Sequence, residues 1–109
     1  MTETEAQKAI DYIRDSAPEF AKAKSERTYI ENYLKVVKAK EMANSDKKTL
    51  GDREIDAYMS MEYETQLRGM RQAVAIEEEL KWRMEAAKLR FEHYRVQSYN
   101  SRVEIKAMT

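Results

Sequence analysis

The chain contains no cysteine, one proline, two glycines and one histidine in 109 residues. Without cysteine, neither a disulfide nor a thiolate metal site can form. A single histidine, His93, excludes most acid–base, triad and metal arrangements. A di-iron bundle needs a glutamate three residues before its histidine, and that position is Arg90. The sequence therefore predicts a protein that is not an enzyme and holds no cofactor.

Long apolar runs are also missing. No stretch approaches the ~18 apolar residues that a membrane span needs. The first ten residues are polar and acidic, and they have neither the basic nor the apolar region of a signal peptide. The absence of cysteine fits a reducing compartment. We expect a cytoplasmic protein with no membrane partner.

The composition that remains is helical. Charged residues make up 37% of the chain, and Ala, Glu, Lys, Arg, Met and Gln dominate, as in long helices and coiled coils. The longest run of β-branched residues is Val36-Val37. The net charge of zero argues against a general DNA coat and against an acidic DNA mimic. We predict an all-α fold in a single domain, residues 1–109.

The charges change sign in blocks along the chain. Residues 1–18 carry net −2, residues 19–48 net +3, residues 49–80 net −5 and residues 81–109 net +4. If the chain folds back near Gly51, each block lies beside a block of opposite sign. The pattern predicts an antiparallel helical hairpin or coiled coil.

Helix signals divide this hairpin into three helices. We predict helices over about 4–16, 18–44 and 53–98, with a frayed tail over 99–109. Pro18 separates the first two, because proline lacks the backbone N–H and disfavours helix at the preceding residue. The N-terminal arm of the hairpin is therefore expected to be kinked.

Capping residues precede two of these helices. Thr2 or Thr4 can cap the first helix, and Thr49 or Asp52 can cap the third, because their side-chain oxygens accept from free N–H groups of the first turn.

Apolar residues recur every three or four positions in the two longer helices. With a turn centre near residue 48, Ile30 is expected to face Leu67. A hairpin of this length has a thin apolar seam, so we expect a homo-oligomer. Gln66 and Glu77 interrupt the seam of the third helix. The apolar series are Phe20, Ala23, Ile30, Leu34 and Val37 in the second helix, and Met59, Tyr63, Met70, Ala73, Leu80, Met84, Ala87, Phe91 and Tyr94 in the third.

The sole tryptophan, Trp82, is two residues from both Leu80 and Met84, and therefore lies off the predicted seam. Aromatic anchors are enriched at protein interfaces. We predict that Trp82, Tyr94 and Tyr99 form a contact surface for a partner. The alternative is that Trp82 packs against the first helix.

Basic residues accompany tyrosines in two places. Such side chains can neutralise and stack on single-stranded nucleic acid. Tyrosines at the edge of a packed seam, with their hydroxyls in water, are the alternative interpretation. The candidate nucleic-acid residues are Lys35, Lys38, Arg95 and Arg102.

Two segments carry a resemblance, residues 16–42 (SAPEFAKAKSERTYIENYLKVVKAKEM) and residues 52–102 (DREIDAYMSM to SYNSR). They resemble a family of short, uncharacterised helical proteins of tailed phages, whose genes lie in early regions near recombination and replication genes. The resemblance implies a phage origin and the host bacterial cytoplasm, but no biochemical activity. The matching positions are Ala21 to Lys24, Glu26, Arg27, Tyr58, Tyr63, Leu67, Glu77 to Trp82, Ala86, Ala87 and Ser98 to Arg102.

These observations together lead to one expectation and two alternatives. We expect a non-enzymatic phage accessory protein that acts by protein–protein contact in DNA recombination or replication, with a phage or host protein as its partner. The first alternative is a nucleic-acid-binding module that uses the basic and aromatic helix faces. The second is an inhibitor of a host defence or nuclease complex.

Overall fold

The computed structural model describes residues 2–108, which form three α-helices and no strand. Helix α1 spans Glu3–Asn44, α2 spans Leu50–Tyr58 and α3 spans Met61–Met108. The predicted all-α helical hairpin is confirmed, because α1 packs along α3. Within residues 2–108, no helix combines the length and the apolar character that crossing a membrane requires.

Helix α1 begins with a capping box at Thr2, one of the two predicted caps. The Oγ1 of Thr2 accepts a hydrogen bond from the N–H of Glu5 at 3.2 Å. In return, the N–H of Thr2 donates to Oε2 of Glu5 at 3.3 Å. The pair satisfies donors that have no partner inside the helix.

Helix α1 continues through Pro18, so the predicted separation of the first two helices there is wrong. Proline removes one backbone hydrogen bond from the helix. Pro18 lies on the exposed side, whereas Ser16 is buried and Phe20 is half-buried. Packing of the neighbouring turns outweighs the local preference of proline, because most helix stability in proteins comes from tertiary contacts.

The connection between α1 and α2 is held by side chains at both ends. The Nε of Arg53 donates to the carbonyl oxygen of Lys47 at 2.8 Å. The Oγ of Ser45 donates to Oδ2 of Asp56 at 2.6 Å. The Oγ1 of Thr49 accepts from the N–H three residues later at 3.1 Å, so Thr49 is the N-cap of α2, as predicted.

Helices α2 and α3 are separate, so the predicted continuous helix over 53–98 is wrong. The chain leaves the helical conformation at Met59 and Ser60. The Oγ of Ser60 accepts from the N–H of Tyr63 at 3.2 Å and donates to the carbonyl oxygen of Ala57 at 2.7 Å. One hydroxyl thus satisfies a free donor of α3 and engages a terminal carbonyl of α2.

The end of α3 also differs from expectation. The tail that we predicted to fray beyond residue 98 is helical as far as Met108. Residues 101–108 are exposed along this last part of the helix. Thr109, the last position of the predicted tail, lies outside the described residues.

Contacts divide the chain into two compact units. The first pairs the start of α1, residues 2–20, with residues 79–108 of α3, and the second comprises residues 21–78. In the first unit, Ala9 and Ala87 line the same depression. In each unit α1 and α3 run in opposite directions. The expectation of one domain over the whole chain stays a prediction.

The buried side of each long helix repeats in alternating steps of three and four residues, which is the heptad pattern of a coiled coil. Six of the seven apolar residues that are buried in the described chain are alanine, and Val37 is the large one. The seam is therefore narrow. On α1 its positions are Ala6, Ala9, Ile13, Ser16, Phe20, Ala23, Arg27, Ile30, Leu34, Val37 and Glu41, and on α3 they are Tyr63, Gln66, Met70, Ala73, Glu77, Leu80, Met84, Ala87, Phe91, Tyr94 and Ser98.

The pairing register in the second unit differs slightly from the predicted one. We expected Ile30 to face Leu67, but Leu67 is 46% exposed. A Cβ atom at Gly69 would lie 4.0 Å from Cδ1 of Ile30. The shift follows from the break between α2 and α3, which lengthens the connection beyond the simple turn that we assumed.

Candidate interaction surfaces

Helix α3 carries a second apolar stripe on the side opposite the seam. Its four residues, Trp82, Leu89, Val96 and Val103, are spaced by seven and are 61%, 66%, 53% and 48% exposed, respectively. At about 100° of rotation per residue, Trp82 is turned by roughly 200° from the half-buried Leu80. The prediction that Trp82 lies off the intramolecular seam is therefore confirmed.

A second row of exposed residues runs beside this stripe, and each of its residues follows a stripe residue by four positions. Its side chains are small or moderately polar, and they carry no charge when the histidine is neutral. We call the two rows together the outer face of α3. Its residues are Trp82, Ala86, Leu89, His93, Val96, Asn100, Val103 and Ala107.

Charged residues flank the outer face on both sides, and each flank changes character along the helix. One flank begins basic and ends acidic, whereas the other begins acidic and ends basic. The first flank is Arg83, Arg90, Gln97 and Glu104, and the second is Glu85, Glu92, Tyr99 and Lys106.

The three predicted partner-contact residues do not share one surface. Trp82 is on the outer face, with Nζ of Lys81 5.3 Å from its ring centroid. Tyr99 is 62% exposed and lies on the flank of the outer face. Tyr94 is half-buried at a seam position, on a different side of α3 from Trp82 and Tyr99. Trp82 and Tyr99 thus lie on the same side of α3 but about 25 Å apart along the helix axis, at ~1.5 Å per residue.

Of the basic candidates on α1, Lys38 is engaged within the second unit. Its Nζ donates to Oε1 of Glu54 at 2.8 Å and lies 4.8 Å from the ring centroid of Tyr58. The hydrogen bond to Glu54, with a further contribution from Tyr58, raises the pKa of Lys38 above its ordinary value. Lys35 is exposed three residues earlier. Binding of a phosphate by Lys38 would compete with Glu54.

The two arginine candidates, Arg95 and Arg102, lie one heptad apart in the first unit. With Val96 and Tyr99 they line one open depression on α3. Nη2 of Arg95 donates to Oε2 of Glu92 at 2.6 Å, and Nε of Arg102 donates to the carbonyl oxygen of Ser98 at 3.4 Å. Two guanidinium groups and one aromatic ring therefore share a surface.

The partner of Glu77 was not predicted from the sequence, where Glu77 was identified only as a polar interruption of the seam. Arg27 of α1 occupies a seam position of the same unit, and its Nε donates to Oε2 of Glu77. The side chain of Glu77 is only 11% exposed and that of Arg27 24% exposed. A search for opposite charges at seam positions of both helices would have found this pair.

Comparison with models of protein families, with curated proteins and with solved structures gives no match to this chain. Within residues 2–108, no three histidine or acidic side chains are grouped so that they could hold a metal ion. What these surfaces provide is non-covalent contact: an apolar helix face bordered by charge, and a smaller basic and aromatic depression.

Proposed function

We propose that this chain is a non-enzymatic interaction protein that binds a partner through the outer face of α3. The observation that carries the proposal is the second apolar heptad, Trp82 to Val103, on a helix whose other side already packs on α1. A helix that packs on one neighbour needs one apolar stripe, with polar residues opposite. A second stripe of regular spacing is typical of a helix that packs on two neighbours.

The scarcity of large buried side chains supports the same proposal. Among the described residues, Val37 is the one large side chain that is fully buried. A chain with so few large buried side chains gains stability when a partner covers part of its apolar surface.

The biological setting of the proposal rests on resemblance. Residues 16–42 and 52–102 are similar to short helical proteins of tailed phages from early gene regions. We therefore propose a phage accessory protein that acts in the host bacterial cytoplasm by contact with a protein of DNA recombination or replication.

To test this proposal, the chain is immobilised and exposed to a lysate of phage-infected bacteria, and the retained proteins are identified by mass spectrometry. The wild type should retain a recombination or replication protein, and Trp82→Glu should lose it while circular dichroism stays helical. Leu50→Glu is the matched control, because Leu50 is 72% exposed but lies on α2. Equal capture by wild type and Trp82→Glu would remove the outer face from the proposal. Retention of a host nuclease or defence component would favour an inhibitor instead.

The second candidate function is binding of single-stranded nucleic acid, and the depression with Arg95, Tyr99 and Arg102 favours it. Fluorescence anisotropy with a labelled oligonucleotide tests it over a range of salt. Binding through two arginines should weaken steeply with salt, and the double change Arg95→Gln with Arg102→Gln should lower the salt dependence. Binding that ignores salt, or no binding at low salt, would contradict this function.

A further inference from the structure

We propose that the outer face of α3 pairs with the outer face of a second copy of this chain, with the two helices antiparallel. The inference deepens the proposed function, on which it rests, because it names the occupant of that surface.

The apolar rows of the outer face complement each other when the helix is reversed. In an antiparallel heptad pair, the positions of one row meet those of the other row. Trp82 then meets the small side chain of Ala107 of the second copy, and Val103 meets Ala86 of that copy. The largest residue of the face is thus placed against one of the smallest at both ends of the pair, which close packing favours.

At the centre of the pair, each layer places an apolar residue beside a polar one. Leu89 lies level with Asn100 of the second copy, and Val96 lies level with His93. Because the two helices are antiparallel, the four apolar stripe residues of each copy are distributed over the whole length of the interface. The paired segment, residues 82–107, is about 39 Å long at ~1.5 Å per residue.

The charges on the two flanks are the strongest observation for this arrangement. In the antiparallel register, equivalent flanks of the two copies meet. Arg83 then meets Glu104 of the second copy, and Glu85 meets Lys106. Each contact occurs twice by symmetry, so four pairs of opposite charge border the interface. In the middle, Glu92 meets the hydroxyl of Tyr99, which can donate to a carboxylate.

A parallel pair of the same faces fits less well. It would place Trp82 against Trp82 and His93 against His93. The largest side chains would then meet each other, and no large side chain would be placed against a small one. Opposite charges would meet between Glu85 and Arg90, but Glu104 and Lys106 would lose their partners across the interface.

Cysteine cross-linking tests the register directly, because the natural chain has no cysteine. Leu89→Cys and Asn100→Cys are made separately, and each is oxidised alone and as a mixture. The antiparallel register brings position 89 of one copy level with position 100 of the other. Positions with the same number are then about 16 Å apart along the helix axis, too far for a disulfide. We expect a covalent dimer from the mixture and none from either variant alone.

Charge reversal provides a second test that does not depend on cysteine. Glu85→Lys alone and Lys106→Glu alone should each weaken the dimer by roughly tenfold, since two symmetric pairs become repulsive. The double change should restore the wild-type dissociation constant, measured by sedimentation equilibrium. Glu64→Lys serves as the control, because Glu64 is exposed at the start of α3, outside the paired segment.

Each outcome separates this inference from the proposed function. A covalent dimer from Asn100→Cys alone would overturn the antiparallel register in favour of a parallel one. A wild-type chain that stays at 12.9 kDa at high concentration would overturn pairing with a second copy. If Trp82→Glu still abolishes capture of a recombination protein in that case, the proposed function stands and the occupant is that protein.

Discussion

Arg27 of α1 and Glu77 of α3 form an ion pair inside the seam of the second unit. Both residues occupy heptad positions that are mostly apolar or small, Glu41 and Gln66 being the other long polar side chains of the seam. Nη1 of Arg27 also donates to Oε2 of Glu31 at 2.7 Å, so the guanidinium has two carboxylate partners. These partners, Glu77 first, hold the pKa of Arg27 above its ordinary value. A slip of α1 along α3 would separate the two charges.

The first prediction concerns this pair. Arg27→Leu alone and Glu77→Leu alone should each lower the melting temperature, because each leaves a charge at the seam without its opposite. The double change should recover or exceed the wild-type value, since apolar residues often replace a buried ion pair without loss. Thermal unfolding followed by circular dichroism measures this. A double variant that is less stable than either single variant would show that the pair stabilises the seam beyond what apolar packing supplies.

The second prediction concerns pH and the pair Lys38–Glu54. The hydrogen bond from Lys38 lowers the pKa of Glu54 below 4.5, and Glu54 raises that of Lys38 above 10.5. Because the pKa of Glu54 is lowered on folding, its contribution to stability is fully present above pH 4.5 and is lost as the pH falls through the pKa of the folded state. Because the pKa of Lys38 is raised on folding, its contribution is lost at high pH. Glu54→Gln should therefore be less stable than wild type at pH 7, and the gap should close as the pH falls below 4.5 and the carboxylate becomes protonated.

The control for this measurement is Glu19→Gln, because Glu19 is an exposed acidic residue in the interior of α1. Its difference from wild type should be small at pH 7. A gap for Glu54→Gln that stays constant as the pH is lowered from 7 to well below 4.5 would contradict the assigned role of the carboxylate.

The third prediction concerns the break between α2 and α3. Ser60→Ala removes the hydroxyl that caps α3 and engages the last carbonyls of α2. The free energy of unfolding should fall by about 1 kcal/mol, as for other N-caps. Urea denaturation measures it, with Ser101→Ala as the control because Ser101 is exposed and in the interior of α3. Equal stability of the two variants would argue that the capping hydrogen bonds contribute nothing.

The fourth prediction concerns the space between the helices in the second unit. Ala23 is 8% exposed at a seam position. Ala23→Leu inserts three carbon atoms there and should destabilise the chain by about 1–3 kcal/mol through overpacking. Ala21→Leu, on the exposed side of the same helix, should change stability by less than about 0.5 kcal/mol. A stabilised Ala23→Leu variant would reveal unfilled space at this seam position.

Much of the fold followed from the sequence, because the heptad pattern and the blocks of charge act over many residues. Thr2 and Thr49 were identified as possible caps from their residue type alone. The errors at Pro18 and Ser60 have opposite causes. At Pro18 the local preference of proline for a helix break was overridden by packing. At Ser60 the break has neither glycine nor proline to indicate it in the sequence, and a serine hydroxyl provides the cap.

The candidate surfaces were harder to predict. The exposed position of Trp82 followed from its spacing relative to Leu80 and Met84. Tyr94 was assigned to the same surface, although its own spacing placed it in the seam series. Lys38 was predicted to bind nucleic acid because basic residues accompany tyrosines in this part of the chain. Its partner Glu54 lies sixteen residues away in the sequence, and only the return of the chain through α2 brings the two together.

The small size of the buried side chains has a consequence for the thermodynamics of unfolding. The heat capacity change of unfolding grows with the apolar area that becomes hydrated, and alanine contributes little of it. Among the described residues the buried apolar side chains are six alanines and one valine, whereas the larger apolar side chains of the seam are only half-buried. We therefore expect a smaller heat capacity change per residue, and a flatter dependence of stability on temperature, than in a compact domain with a large aliphatic core.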